Sequence, residues 1–145
     1  HIIKEMTDFY QIPVRLLPSI KRGEDYITPE GERIPNGRLT RPASTPKKYA
    51  YCSDTAYYEK IIPIIEGVDL LYHEATFASE DAARAKETFH STARQAAEIA
   101  RKANVKRLVI GHYSARYEEL HTLKKEADEI FPGTILADEG MTLTV

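Results

Sequence analysis

Val68-Asp69-Leu70-Leu71-Tyr72-His73-Glu74 is a short apolar run closed by an imidazole and a carboxylate. Its length and β-prone residues predict a strand rather than a helix. The same design recurs on either side. Upstream, Tyr49-Ala50-Tyr51-Cys52 is β-prone and ends at Ser53-Asp54-Thr55; downstream, Leu108-Val109-Ile110 runs into Gly111-His112. A helix is predicted between the second and third runs, because Thr92 with Gln95 three residues later forms a capping box. Ala93, Ala96, Ala97, Ala100 and Ala103 then recur at helical spacing, a stripe small enough to sit close on a sheet. Ser114 is the expected N-cap of a second helix with Leu120, Leu123, Ala127 and Ile130 on one face, stopped by Pro132-Gly133. Thr134–Ala137 and Met141–Val145 are expected as two further short strands. Strands alternating with helices indicate a layered α/β domain over residues 49–145.

Residues 1–48 read differently. Pro13, Pro18, Pro29, Pro35, Pro42 and Pro46 punctuate them, and proline removes a backbone donor, so a Pro-rich linker with short extended pieces is expected. Thr28-Pro29-Glu30-Gly31 is a turn signal. From Arg33 to Lys48 there are five basic residues and no acid, against a net charge of −2 for the whole chain. Such a stretch either touches phosphates or forms a solvated loop. The single cysteine excludes a disulfide framework and a Cys-rich metal site. With no apolar run near the ~20 residues that span a bilayer, a soluble, cytoplasmic protein without membrane contact is expected. The first residue is His1 rather than Met, so the chain is expected to begin inside a longer protein.

Three predicted strands thus end in a metal ligand or acid–base group: Asp54, His73-Glu74 and His112. Strand ends in helix-covered sheets are where sites form, and Asp oxygen and His nitrogen are ligands that zinc takes in hydrolytic centres. His90 lies two residues before the Thr92 cap, at the mouth of a helix N-terminus. There Ser91, Thr92 and the first-turn amides would suit a phosphate. The residues alone leave open whether these are site groups or ordinary structural histidines. His121 reads as a surface residue, and Cys52 as a small buried residue rather than a nucleophile.

Taken in order, Ser53-Asp54-Thr55, Leu71-Tyr72-His73-Glu74-Ala75-Thr76-Phe77, His90-Ser91-Thr92 with Gln95-Ala96-Ala97, and Gly111-His112-Tyr113-Ser114-Ala115-Arg116-Tyr117 resemble ribonuclease Z of the metallo-β-lactamase superfamily. The match is strongest from Tyr49 onward. The resemblance implies the C-terminal half of an αβ/βα sandwich, a mixed sheet with helices on one face. It implies a zinc-dependent endonuclease that removes the 3′ trailer of precursor tRNA after the discriminator base, a homodimer when complete. Asp54 would bridge two zinc ions and His112 would bind one of them. His90 would supply or relay a proton to the departing 3′ oxygen, His73 and Glu74 would lie in the loop shaping the site, and Arg116 would meet a phosphate. The family's His-x-His-x-Asp-His motif is absent, which implies a fragment that holds a minority of the ligands and is inactive alone. Two alternatives belong to other readings: a hydrolase of a small ester (a phosphodiesterase or arylsulfatase-like enzyme), and a non-catalytic interaction module that keeps the fold without its metals.

Overall fold

Residues His1–Pro46 form one unit of the computed structural model, which describes residues 1–145, and Lys47–Val145 form another. In the first unit the prolines open elements rather than break them. Pro13 caps a 3-10 turn at Val14–Leu16, Pro18 sits in the first turn of a helix, and Pro35 caps another. The first-turn N–H of a helix has no internal partner, so proline costs nothing there. The unit therefore holds three short helices, α1 (Lys4–Phe9), α2 (Leu17–Lys21) and α3 (Asn36–Leu39), where the proline count predicts linker. Between α2 and α3, β1 (Tyr26–Ile27) pairs antiparallel with β2 (Arg33–Ile34) across the expected turn. Gly31 takes φ 87° there, and its N–H donates to the Thr28 carbonyl at 2.9 Å. Ile12, Ile20, Tyr26, Ile34 and Leu39 make a small buried core of this unit's own.

The second unit carries β3 (Tyr49–Cys52), α4 (Ile62–Ile65), β4 (Leu70–Glu74), α5 (Ala82–Glu87), α6 (Ala93–Lys102), β5 (Leu108–Gly111), α7 (His121–Asp128) and β6 (Ile135–Leu136). This is the α/β alternation the sequence predicts. The four strands lie in chain order, and every pair is parallel, so the sheet is parallel rather than mixed. Cys52 pairs with His73, and Glu74 with Gly111, which levels the C-terminal ends of β3, β4 and β5 along one edge. Every loop that leaves this edge starts beside the others, because parallel strands all point the same way.

One sheet face is packed. Leu71, Leu108 and Ile110 meet α6, whose Ala93, Ala96, Ala97, Ile99 and Ala100 are fully buried. The capping box opens α6 as expected: Thr92 Oγ1 accepts from Gln95 N–H at 3.2 Å, and Gln95 Oε1 accepts from Thr92 N–H at 2.9 Å. A cap of this kind stabilises by about 1 kcal/mol. The other face carries Tyr49, Leu70, Tyr72 and Val109, with Tyr51 stacked on Tyr72 at 4.7 Å between ring centroids.

Two expected elements differ. Met141–Val145 is not a strand. A turn at Asp138–Met141, with Gly140 at φ 78°, takes the chain off the β6 edge, and Met141, Leu143 and Val145 then line a cavity against the face of Leu70 and Val109. The last helix begins at His121, with Leu120 as its N-cap and no side-chain bond, not at Ser114. Ser114 N–H is spent on the Thr76 carbonyl at 3.0 Å, and Tyr117 N–H on the Ser114 carbonyl at 3.1 Å. That turn delivers Tyr117 to the next loop, where its hydroxyl accepts from Ala78 N–H at 2.9 Å and donates to Asp81 at 2.5 Å.

Candidate functional site

Asp54, His90 and His112 meet at the levelled strand edge, each offering one ligand atom, all within 4.8 Å of one another. Asp54 lies two residues beyond β3 with φ 50°, and His112 directly beyond β5 with φ 60°. Both are left-handed, a conformation that Asp and His adopt more readily than most residues. His112 Nε2 is 3.3 Å from Asp54 Oδ1, and the rings of His90 and His112 are 5.3 Å apart. The Asp54 side chain is 73% exposed, His112 42% and His90 23%, so the cluster opens to solvent on the Asp54 side.

Behind His90 lies a carboxylate with no exposure at all. Glu74 Oε1 accepts from Thr55 N–H at 2.7 Å and from His90 Nδ1 at 2.9 Å. Its Oε2 accepts from the Thr76 hydroxyl at 2.6 Å and from Ser91 N–H at 3.0 Å. Burial pushes the Glu74 carboxyl up, but the four hydrogen bonds together outweigh it and hold the carboxyl below its ordinary range. Four donors fill the lone-pair sites of an ionised carboxylate, which accepts and never donates.

That carboxylate sets the protons around it. His90 Nδ1 must carry hydrogen to meet Glu74, which leaves Nε2 as its free ring nitrogen. Thr76 has one hydroxyl proton, and its shortest and only charged partner is Glu74, so the hydroxyl oxygen accepts from His112 Nδ1 at 3.0 Å. In the neutral ring His112 Nε2 is then also a lone pair, 3.3 Å from Asp54 Oδ1. Metal-binding histidines are held in this way, with the non-ligating N–H tied to a carboxylate or another acceptor. One carboxylate oxygen and two imidazole nitrogens are donors that suit zinc, around which tetrahedral ligand atoms stand roughly 3.4 Å apart. The donor set fits a metal ion.

The other expected site residues are placed differently. His73 and Glu74 end strand β4 rather than lie in a loop. His73 is 1% exposed; its Nδ1–H donates to the Glu74 carbonyl at 2.7 Å, and its Nε2 has no partner. Neighbouring strand residues point to opposite faces, so His73 faces away from the site that Glu74 serves. Burial holds the His73 imidazole below its ordinary range. Ser91 and Thr92 are buried and already engaged: Ser91 donates to Glu74 and to the Thr55 carbonyl, and Thr92 is closed in the capping box. The anion held before α6 is Glu74: Ser91 spends both of its donors on Glu74 and Thr55, and Thr92, 2% exposed, is turned into the cap. Arg116 pairs with Asp81 at 3.0 Å and lies 5.2 Å from the Phe77 ring centroid. Thr76 is the residue that sequence reasoning quoted but gave no role. Its position two residues after Glu74 was the available signal, since alternate residues of an extended chain share a side.

The fold and the Asp/His cluster define a class. The chain belongs to the beta-lactamase superfamily, with residues 38–113 matching its Beta-lactamase superfamily domain. Among particular proteins, it is 79% identical over 145 residues to the ribonuclease Z of Parabacteroides distasonis, covering 100% of this chain and 48% of that protein. It is 59% identical over 145 residues to the ribonuclease Z of Bacteroides fragilis, again covering 100% of this chain and 48% of the relative. The chain thus spans about half the length of the curated relatives it matches. Among solved structures, a metallo-beta-lactamase fold protein from Bacillus subtilis superposes with a TM-score of 0.58 at 28% identity, covering 63% of this chain and 37% of that one.

Proposed function

We propose that this chain is the C-terminal half of a zinc-dependent endoribonuclease that removes the 3′ trailer of precursor tRNA by hydrolysis after the discriminator base. The observation that carries the reading is the convergence of Asp54, His90 and His112 in front of the buried Glu74. The ribonuclease Z name shared by relatives that match the whole chain supports the substrate. The complete enzyme, a homodimer of the cytoplasm in this reading, would draw further ligands from sequence outside this chain. No helix here is long and apolar enough to cross a membrane.

Asp54 would be shared by two zinc ions, and His112 would help to hold one of them. When bound, the zinc pair supplies Lewis acidity at the phosphate and lowers the pKa of water. In the hydrolysis a water oxygen joins the scissile phosphorus, and the bond from phosphorus to the tRNA 3′ oxygen breaks. The tRNA keeps a 3′-hydroxyl and the trailer keeps the phosphate. The proton that the attacking water loses would pass to His90 Nε2, a lone pair in the neutral ring, and from there to the departing 3′ oxygen. The Glu74 carboxylate behind Nδ1 fixes the ring and offsets the charge it carries while both nitrogens are protonated.

The test is cleavage of a precursor tRNA with a 3′ trailer by the complete, zinc-loaded protein, the product ends being mapped. The expected cut follows the discriminator base and leaves a 3′-hydroxyl. A protein that leaves this RNA whole while hydrolysing small phosphate or sulfate esters would overturn the reading.

A further inference from the structure

Helix α5 ends in a motif that normally asks for glycine and instead carries an aromatic ring. His90 N–H donates to the Ala85 carbonyl at 2.8 Å, and Phe89 N–H to the Lys86 carbonyl at 3.4 Å. This pair of bonds is a Schellman cap, in which the residue after the C-cap is left-handed and is usually glycine. Here that residue is Phe89, with φ 59° and 73% of its surface exposed. A side chain there strains the backbone, and a bare phenyl ring in water gains nothing from burial. Neither the fold nor the cap explains the ring.

Its position does. Phe89 immediately precedes His90, and its chain neighbours Lys86 and His90 both line a cavity of about 500 Å³ whose wall also includes Tyr57, Ala82 and Ala83. That volume lies in the ~300–1,000 Å³ range of small-ligand sites. Lys86 is exposed and makes no ion pair, so the cavity carries a cation without a counter-ion. A ring for stacking, an uncompensated ammonium and a small-walled hollow beside a phosphodiester site together match one unpaired nucleotide.

We propose that Phe89 is a stacking platform for a nucleobase flanking the scissile bond, with Lys86 and the cavity it lines together with His90 receiving that nucleotide's sugar and phosphate. The inference rests on the nuclease reading above and adds a determinant of substrate binding to it.

The test compares the complete enzyme with its Phe89→Gly and Phe89→Tyr variants. The substrates are a precursor tRNA and two versions made abasic at one or the other nucleotide flanking the cut. Base–aromatic stacking is worth about 1–3 kcal/mol, so Phe89→Gly is expected to lose roughly 5- to 150-fold in kcat/KM on the normal RNA. Phe89→Tyr should retain most of the activity. The gap between Phe89→Gly and wild type should close on one abasic substrate, and the melting temperature of Phe89→Gly should hold or rise as the cap is relieved. Unchanged kcat/KM in Phe89→Gly would overturn the proposal. So would a loss that persists on both abasic substrates, or one that accompanies a fall in melting temperature or a change in oligomeric state. A wild-type enzyme inactive on RNA would remove the nuclease reading and this inference together, whereas an active wild type with an equally active Phe89→Gly removes the inference alone.

Discussion

His90 Nδ1 lies 2.9 Å from Glu74 Oε1, a bond made across sixteen residues between the end of one strand and the approach to a helix. Glu74 is fully buried and also accepts from Thr55, Thr76 and Ser91, so one carboxylate joins the loops after β3 and β4 to the cap of α6. The imidazole is thereby fixed in tautomer and direction by a group that solvent does not reach.

Glu74→Gln tests that arrangement with little change of volume. An amide nitrogen in place of either oxygen would face two of the four donors, one of them a backbone N–H (Thr55 or Ser91) left buried and unpaired at a cost of about 1–3 kcal/mol. Partners of this kind typically contribute 10–100-fold to metal affinity or activity, so both should fall by ~10–100-fold in the complete enzyme. Zinc content, turnover and melting temperature measured on one preparation would check it; a variant equal to wild type in all three would mean that Glu74 organises nothing.

His90→Ala separates two uses of one ring. As a proton donor it should contribute ~10²–10⁴-fold to kcat while zinc content and RNA affinity hold. As a ligand, its loss should take metal with the rate. Single-turnover cleavage with metal analysis decides between them, and full activity in a zinc-loaded His90→Ala enzyme would rule out both.

Gly111→Ala should destabilise the sheet. A Cβ there would sit 2.8 Å from Cε2 and Cζ of Tyr72, whose ring is stacked on Tyr51. The ring must move and loosen the stack, a cost of about 1–3 kcal/mol. Denaturant unfolding of wild type and variant measures it, and matching midpoints would show that Tyr72 yields freely.

Asp69 makes stability depend on acidity. Lys106 Nζ at 2.7 Å and Lys48 N–H at 2.8 Å hold its carboxyl well below the usual carboxylate range. The unfolded chain lacks these partners and titrates near ~3.9. The contribution is therefore complete above about pH 4 and is lost as pH falls toward the folded value. Asp69→Asn should lower the melting temperature at neutral pH, and the gap from wild type should narrow as the solution is acidified below about pH 4. A gap that stays constant across that range would show that the ion pair is not its source.

Much of the fold was legible in short windows. The capping box at Thr92 and Gln95 and the alanine stripe of α6 are local signals, and α6 follows them. Other local signals misled. Proline spacing predicts linker over residues 1–48, but Pro13, Pro18 and Pro35 stand at element starts, where the missing N–H does not matter. Ser114 has the chemistry of a cap, yet a carbonyl 38 positions away, on Thr76, takes its N–H into a turn.

Local sequence sets which residues end strands, and so that Asp54, Glu74 and His112 are available for chemistry; strand periodicity and caps depend on neighbours only a few residues away. Tertiary structure alone decided what each residue faces. Parallel pairing levelled three strand ends and brought Asp54, His90 and His112 within 4.8 Å. The same pairing turned His73 into the buried face beside a site-facing Glu74, and consumed Ser91 and Thr92 in holding Glu74 and the cap. A hydrogen bond is a property of two groups, and the partners of these residues lie up to 36 positions away in the chain, where no local pattern reaches.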